Sequence, residues 1–167
     1  MFKGIVGLFI GPTRQGALDA NARAADVDPG FARELDGLIE TLQRAANSKD
    51  RGYTAERIGA RGRAAAKAVL ILLDMLRKDP GEDARTGVAG ALGDIGVGTA
   101  EVVCALIEAI RRDKNADVRL NAIISLGQLG PNAKTAIPLL KSLASDSQES
   151  DEIRFRAGIN AKILEHE

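Results

Sequence analysis

Cysteine, histidine and aromatic residues are scarce in this chain of 167 residues. It contains one cysteine, one histidine, one tyrosine and no tryptophan, and its aromatic content is 3%. A single cysteine cannot form a disulfide within the chain, which fits a reducing compartment, so we predict a cytoplasmic protein. Hydrophobic residues nevertheless make up 45% of the chain. The interior must therefore consist of alanine, leucine, isoleucine and valine, which suits closely packed helices.

The chain also lacks net charge and long apolar runs. Lysine plus arginine and aspartate plus glutamate each total 23. Nucleic-acid-binding proteins usually carry a basic excess or stripe, so we expect no nucleic acid partner. No run reaches the roughly 20 apolar residues that a membrane-spanning helix needs. The apolar start Met1–Gly11 is short, contains one lysine and precedes no clear cleavage site, so we do not expect a secretory signal.

Catalytic residues are missing from the sequence pattern. The only histidine, His166, is next to the last residue, where chains usually fray. We find no cluster of metal ligands, no pairing of cysteine with histidine and no glycine loop that would cradle phosphate. Glycine-rich stretches such as Gly87–Gly98 fall at repeat positions and are explained by packing. We predict a protein without enzymatic activity, cofactor or metal.

The main feature that is present is a repeat of 34 residues. Three sets of identical residues keep this spacing: Arg51, Arg85 and Arg119; Gly59, Gly93 and Gly127; Gly62, Gly96 and Gly130. A period in this range is typical of a solenoid, in which each unit is one pair of helices stacked on the next. Glycine at the end of a helix tolerates the left-handed backbone conformation that closes many helices.

Each repeat is predicted to contain a first and a second helix. The first helices are Asp83–Gly96 and Asp117–Gly130, and the second helices begin near Thr99 and Asn132. The second helices carry apolar ladders at the period of 34: Val69, Val103 and Ile137; Leu72, Leu106 and Leu140; Leu76, Ile110 and Ala144. Within one unit, the apolar residues fall at i, i+3, i+4 and i+7, as in Val103, Leu106, Ile107 and Ile110, and this spacing predicts a buried helix face. We expect Cys104, within the apolar stretch Val102–Leu106, to be a small core residue rather than a reactive thiol, since no base or positive charge is apparent beside it.

The repeats divide the chain into units. We expect an apolar N-terminal segment at residues 1–13 and one repeat domain at residues 14–167. Its units are 14–48, which is degenerate, 49–82, 83–116, 117–150 and the half repeat 151–167, with one residue inserted at 145–150. Residues 31–46 match a second helix, and about 14–27 would be its first helix. Terminal repeats are expected to be atypical because one of their faces has no neighbour.

The repeat resembles HEAT repeats, and most closely the short type named after phycobilisome-lyase subunits. The resemblance rests on Asp-x-Arg at the start of a helix that ends in Leu-Gly-x-Ile/Leu-Gly, which is clear at Asp83–Gly96 and Asp117–Gly130 and weaker at Lys49–Gly62. It implies an all-α fold, a right-handed α-solenoid of stacked antiparallel helix pairs. It also implies that Asp83, Arg85, Asp117 and Arg119 pair along the stack and are structural rather than anion-binding.

Two charged ladders remain on the second helices, which commonly line the concave face of a HEAT-like array. Acidic residues at the period of 34 precede basic residues by four, an orientation that favours ion pairing along a helix. A further position drifts from basic to neutral through Arg33, Lys67, Glu101 and Thr135. Either this face is a solvated, self-neutralised surface, or it is a groove for a partner helix or extended peptide. The candidate partner-binding residues on it are Glu40, Arg44, Lys67, Asp74, Lys78, Glu101, Glu108 and Arg112.

The N-terminal segment is the other candidate surface. Phe2, Ile5, Val6 and Phe9 form an apolar stripe at helical spacing, beside a face of glycines at Gly4, Gly7 and Gly11. This segment either caps the first repeat or docks into a partner, another copy or a membrane surface. With one basic residue, the contact of residues 1–11 with a membrane would be peripheral and weak.

These features predict a protein-interaction scaffold or adaptor that binds a protein partner through the concave helix face, the N-terminal segment or both. One alternative, from the resemblance alone, is a subunit of a bilin lyase-like complex that acts on phycobiliproteins. The other is a nucleic-acid-binding HEAT module, which the alternation of acidic with basic residues disfavours.

Overall fold

The computed structural model of the protein describes residues 29–166, and these residues form α-helices and short 3-10 segments with no strand. The eight α-helices within this range are α1 (Pro29–Arg44), α2 (Ser48–Gly59), α3 (Val69–Lys78), α4 (Glu82–Ile95), α5 (Ala100–Arg112), α6 (Ala116–Gln128), α7 (Ile137–Ala144) and α8 (Asp151–His166). The 3-10 segments Gly62–Ala68 and Gly130–Ala136 lead into α3 and α7. The N-terminal segment 1–13 and the proposed helix at 14–27 lie outside the described residues.

Even-numbered helices are the first helices of the repeats, and odd-numbered helices are the second helices. The first helices stack directly on one another in the order α2, α4, α6 and α8, and each second helix packs against the first helix that follows it. Contact between successive second helices is less extensive. This repeated stacking of helix pairs is the architecture of an α-solenoid.

One continuous core runs along the stack and is built from the predicted ladders. Leu72, Leu106 and Leu140 are each 0% exposed, and Leu76 and Ile110 are buried with them. The degenerate unit contributes through α1, whose buried residues are Leu35, Leu38 and Leu42. The helical spacing of apolar residues therefore predicted the buried face of α3 and α5 correctly, whereas on α7 Leu140 is buried and Ile137 and Ala144 are only partly buried.

The glycine ladder at positions 62, 96 and 130 serves to end the first helices. These three glycines have φ values of 57°, 68° and 56°, in the left-handed region that side chains with a Cβ atom rarely adopt. Within residues 29–166 no residue other than glycine has a positive φ. The chain reverses at these points and enters the second half of each repeat.

The second helices start in two different ways. Thr99 caps α5, because its hydroxyl accepts a hydrogen bond from the Val102 N–H at 3.3 Å. The equivalent positions in the neighbouring repeats are Ala65 and Ala133, whose side chains cannot cap a helix. There the chain forms the 3-10 segments first. As a result α7 begins at Ile137, five residues later than the start near Asn132 that we expected.

The first helices approach each other closely because glycines face each other across the contact. A Cβ atom on Gly87 of α4 would lie 2.4 Å from the carbonyl oxygen and 2.7 Å from the Cα atom of Gly52 in α2. No side chain fits into this space. The close contact of α2 with α4 thus depends on residues that leave the backbone bare.

We expect Gly87→Ala to destabilise the protein and Gly37→Ala to stabilise it. The added methyl group at position 87 has to push α2 and α4 apart, whereas a Cβ atom on Gly37 in α1 would have nothing within 4 Å. At Gly37 alanine gains its helix propensity of about 1 kcal/mol over glycine. Thermal unfolding of both variants should show shifts of opposite sign. A Gly87→Ala protein that melts at or above the wild-type temperature would contradict the close contact.

Candidate functional site

The three repeats that begin with α2, α4 and α6 are each held together by an arginine clamp, which we define as the first-helix arginine with the groups it binds. In the first clamp, Arg51 of α2 binds Asp79, the residue that ends α3, through Nε–Oδ2 at 2.6 Å and Nη2–Oδ1 at 2.7 Å. Its Nη1 donates to the carbonyl oxygens of Ala45 and Ala46 at 3.1 and 3.0 Å. One side chain therefore connects the loop before its helix with the loop after the second helix.

The clamps are linked to each other along the stack. Arg85 binds Asp113 at 2.6 and 3.1 Å, and it also donates to the carbonyl oxygens of Asp79 and Pro80 at 2.8 and 3.0 Å. The loop after α3 thus binds two arginines. The carboxylate of Asp79 accepts hydrogen bonds from Arg51, and the carbonyl oxygens of Asp79 and Pro80 accept hydrogen bonds from Arg85. In the third clamp Arg119 binds Glu149 at 2.9 Å. The clamps act as a continuous brace along the ends of the second helices.

The clamp geometry keeps the two aspartates ionised. Burial by itself would raise the pKa of Asp113, but hydrogen bonds from Arg85 and the Asn115 N–H, with the charges of Arg85 and Arg119, outweigh it and hold the pKa below its ordinary value of 3.8. For Asp79, burial likewise raises the pKa, whereas the hydrogen bonds from Arg51 and the Gly81 N–H lower it. The net direction of the pKa is again downward.

The acidic partners of the arginines differ from those we expected. Asp83 lies at the exposed start of α4, where it accepts a hydrogen bond from the Ser48 hydroxyl at 2.9 Å. Asp117 is likewise at the exposed start of α6, where Asn115 caps its N–H. The expectation that these aspartates pair with the arginines was wrong. The folded chain instead brings the ends of the second helices over the arginines. The spacing of 34 between Asp79 and Asp113 was the signal that could have identified them.

Acid should weaken the clamps. Because the pKa of Asp79 and Asp113 is lower in the folded protein than in the unfolded chain, the unfolded chain takes up protons first. The contribution of these carboxylates is complete above the ordinary value of 3.8 and is lost as the pH falls through the lower folded pKa. Urea unfolding at neutral and acidic pH should show this loss. A double variant with asparagine at both positions should depend less steeply on pH, and an equal dependence would contradict the assignment.

The exposed side of α1, α3, α5, α7 and the 3-10 segments, which we call the second-helix face, carries the candidate residues predicted for it. The predicted acidic and basic ladders form ion pairs within each helix: Glu40–Arg44 at 3.8 Å, Asp74–Lys78 at 2.5 Å and Glu108–Arg112 at 2.9 Å. All six side chains are largely exposed. The ladders are therefore arranged as charge pairs on a solvated surface.

The two remaining candidate residues of this face connect neighbouring repeats. Lys67, in the 3-10 segment before α3, binds Asp36 of α1 at 2.6 Å. Glu101, in the first turn of α5, lies 3.4 Å from Nη1 of Arg77 in α3. Sequence reasoning did not identify Asp36 and Arg77 as partners. Both ion pairs join one second helix to the next.

Two grooves lie between successive second helices. The groove between α3 and α5 has a volume of about 470 Å³ and is lined by residues that include Leu76, Arg77, Ala105 and Lys114. The groove between α5 and the segment leading to α7 has a volume of about 580 Å³. Its lining residues are Ala100, Val103, Cys104, Ile107, Glu108, Arg111, Arg112, Asn132 and Thr135. The pair Glu108–Arg112 borders both grooves.

Cys104 lies on this surface and not in the core. It is exposed and lines the groove between α5 and α7. Its neighbours Val103, Ala105 and Leu106 are buried. The expectation of a core position was wrong because an apolar run in a helix still turns some residues outward, and the core stripe Val103, Leu106, Ile110 leaves position 104 on the open side.

An exposed apolar surface, separate from the two grooves, lies on α8. Phe155, Ile159 and Ile163 are 62%, 39% and 40% exposed and follow each other at spacings of four, so they lie on one helix face. Ile159 is equivalent to Gly90 of α4, allowing for the inserted residue, and a Cβ on Gly90 would face Asn121 of α6. The exposed stripe therefore corresponds to the face through which an earlier first helix contacts the next one. We had not predicted it.

No group of three or more potential metal ligands occurs among residues 29–166. None of the helices in that range has the length and apolar character needed to cross a bilayer. Four candidate residues, Phe2, Ile5, Val6 and Phe9, fall outside the described residues.

Comparison with known proteins adds the family. A sequence profile of HEAT repeats matches residues 71–161, which cover most of the chain from α3 to α8 and include both grooves. A search of curated proteins finds no match. Because the matched residues amount to more than half of the chain, and the helices stack as repeated pairs, this protein belongs to the HEAT-repeat family.

Proposed function

We propose that the chain is a non-catalytic scaffold or adaptor that binds a partner protein through its second-helix face. The observation that carries this proposal is the pair of adjacent grooves between successive second helices, both of which are lined by Glu108 and Arg112. Protein recognition by an α-solenoid commonly uses such an extended surface.

The chemistry of the grooves favours a protein partner. Their lining combines apolar side chains such as Leu76, Ala105 and Ile107 with both acidic and basic side chains. An apolar centre with a polar, charged rim is the usual composition of a protein interface. Mixed charge contributes more to the choice of partner than to raw affinity. Nucleic acid, in contrast, would require a predominantly basic groove.

The clamps support the same role, because Asp79, Arg85 and Asp113 also line the groove between α3 and α5. They fix the loops at the ends of α3 and α5 through several hydrogen bonds each, so the rims of the grooves are held in place before a partner arrives. A preorganised surface loses less conformational freedom on binding. We infer that the first helices and clamps form the support and the second helices form the contact surface.

We further propose the finer features of the family and the fold. The motifs at Asp83–Gly96 and Asp117–Gly130 favour the short phycobilisome-lyase type of HEAT repeat, with units at 49–82, 83–116 and 117–150. The helix pairs are antiparallel, the superhelix is right-handed and the protein is cytoplasmic. An experimental structure would test the arrangement of the helices. A role beside a bilin lyase rests on the resemblance alone, and no described residue favours it.

The test is charge reversal on the second-helix face. A variant with Glu40→Lys, Asp74→Lys and Glu108→Lys should bind the partner protein with an affinity at least about tenfold lower, because the reversed charges repel the charges on the partner protein. The matched control reverses three exposed acids of the first helices, Glu56, Glu82 and Asp117. Immobilised wild type, variant and control are compared for the proteins that they retain from a cell extract, followed by titration of each retained protein.

Three outcomes are informative. Loss of the retained protein in the variant but not in the control supports the proposal. Equal retention by all three proteins would contradict binding through the second-helix face. A fourth protein that lacks residues 1–11 reports on the N-terminal segment, because a partner lost only with this deletion binds there and uses the repeats as its support.

A further inference from the structure

Ion pairs connect successive second helices along most of the second-helix face. Lys67 before α3 reaches back to Asp36 of α1 at 2.6 Å, and Arg77 of α3 reaches forward to Glu101 of α5 at 3.4 Å. Each pair bridges the space between two neighbouring repeats. The next space along the stack, between α5 and α7, departs from this arrangement.

The departure concerns Arg111, whose equivalent on α3, Arg77, is paired with a glutamate. Arg111 follows Arg77 by 34 residues and holds the equivalent place on α5. The residue 34 positions after Glu101 is Thr135, and Arg111 and Thr135 line the same groove. Among residues 29–166 no carboxylate forms an ion pair with Arg111. Thr135, the residue that corresponds to Glu101 in the next repeat, therefore carries no charge.

The surroundings of Arg111 resemble one half of an interface. Arg112, the other cation of the groove, is already paired with Glu108 at 2.9 Å. Ile107 is half-buried in the groove, and Val103 forms part of its floor. A basic residue in the last turn of a helix is favoured by the helix dipole. The dipole explains the presence of Arg111, but it does not explain why the acid across the groove has been replaced.

We propose that the groove between α5 and α7 binds an acidic segment of the partner protein. An aspartate or glutamate of this segment takes the place that Glu101 takes between α3 and α5 and forms a charge-assisted hydrogen bond with Arg111. An aliphatic side chain next to it packs on Ile107. This inference rests on the proposed function, since it specifies the partner of that same face. A carboxylate is the group of choice because the equivalent arginine already binds one.

Thr135 offers a sharp test, because a glutamate there would fill the vacant position from within the chain. Short random peptides displayed on phage are selected on the wild-type protein and then measured singly, as labelled synthetic peptides, by fluorescence anisotropy. We expect the selected peptides to contain aspartate or glutamate beside an aliphatic residue. Arg111→Gln and Thr135→Glu should each weaken their binding about tenfold or more. Thr135→Gln, which has about the size of glutamate but no charge, should weaken binding much less than Thr135→Glu.

The outcomes separate this inference from the proposed function. Peptides that bind the second-helix face, as judged by Glu108→Lys, yet tolerate Arg111→Gln and Thr135→Glu would overturn the acidic segment and leave the proposed function standing. Failure to select any peptide sensitive to changes on this face would count against both. Self-association of the wild type that Arg111→Gln abolishes would identify a second copy as the occupant and would likewise overturn the proposal. Circular dichroism spectra of all variants verify that the helices are retained.

Discussion

Asp113→Ala is expected to destabilise the protein by about 2–4 kcal/mol. Removing one member of a buried ion pair costs about 3–5 kcal/mol, and the range is reduced here because the Arg85 side chain keeps 17% of its surface exposed. The change leaves Nε and Nη2 of Arg85 without their acceptor and frees the N–H of Asn115. Urea unfolding monitored by far-ultraviolet circular dichroism measures the loss.

Asp74→Ala is the matched control. Asp74 is also an aspartate in a short ion pair, with Lys78 at 2.5 Å, but its side chain is 61% exposed and water replaces the lost contact. Exposed pairs of this kind contribute about 0.3–0.5 kcal/mol. The two variants should thus differ several-fold in their effect. Equal destabilisation would mean that the clamp contributes no more than a surface ion pair and would remove it as the brace of the solenoid.

Leu106→Ala should cost about 2–5 kcal/mol, the range observed when a buried leucine is truncated in a closed core. Leu106 is 0% exposed and lies at the middle of the leucine ladder, between repeats on both sides. A solenoid repeat buries its apolar side only against its neighbours, so a cavity in the central repeat weakens the contacts on both sides.

Leu70 supplies the comparison for this prediction. It is also a leucine in a second helix, but it is 73% exposed on α3. Leu70→Ala removes no core contact, and its effect should stay within about 0.5 kcal/mol. Thermal and urea unfolding of both variants give the result. A Leu106→Ala protein as stable as the Leu70→Ala protein would show that the register of the second helices is wrong.

Most of the fold could be predicted from the sequence because it depends on local patterns. The period of 34 revealed the repeats, the apolar ladders identified the buried side of the second helices, and the glycines marked the ends of the first helices. Each of these signals acts within one repeat and recurs in the next. The ion pairs Glu40–Arg44, Asp74–Lys78 and Glu108–Arg112 could be predicted for the same reason, since they span a single helical turn.

The candidate site was less accessible to prediction. The partners of Arg51 and Arg85 lie 28 residues further along the chain, at the ends of the second helices. Nearer aspartates of the same motif appeared to be the partners. Only the packing of the helices decides which carboxylate reaches the arginine. Cys104 shows the same limit at shorter range, because the apolar composition of its surroundings did not reveal which way its side chain points.

The sequence by itself determined that this protein is an all-α stack of repeats, because periodic spacing of apolar residues and glycines requires helices that bury one face against identical neighbours. The tertiary structure alone decided which side chains meet on the surface of that stack. It joined the clamps, formed the two grooves and placed Arg111 and Thr135 in the same groove, since these features arise between repeats. The spacing of 34 marks equivalent positions along the chain, but which side chains meet depends on the distance between helices.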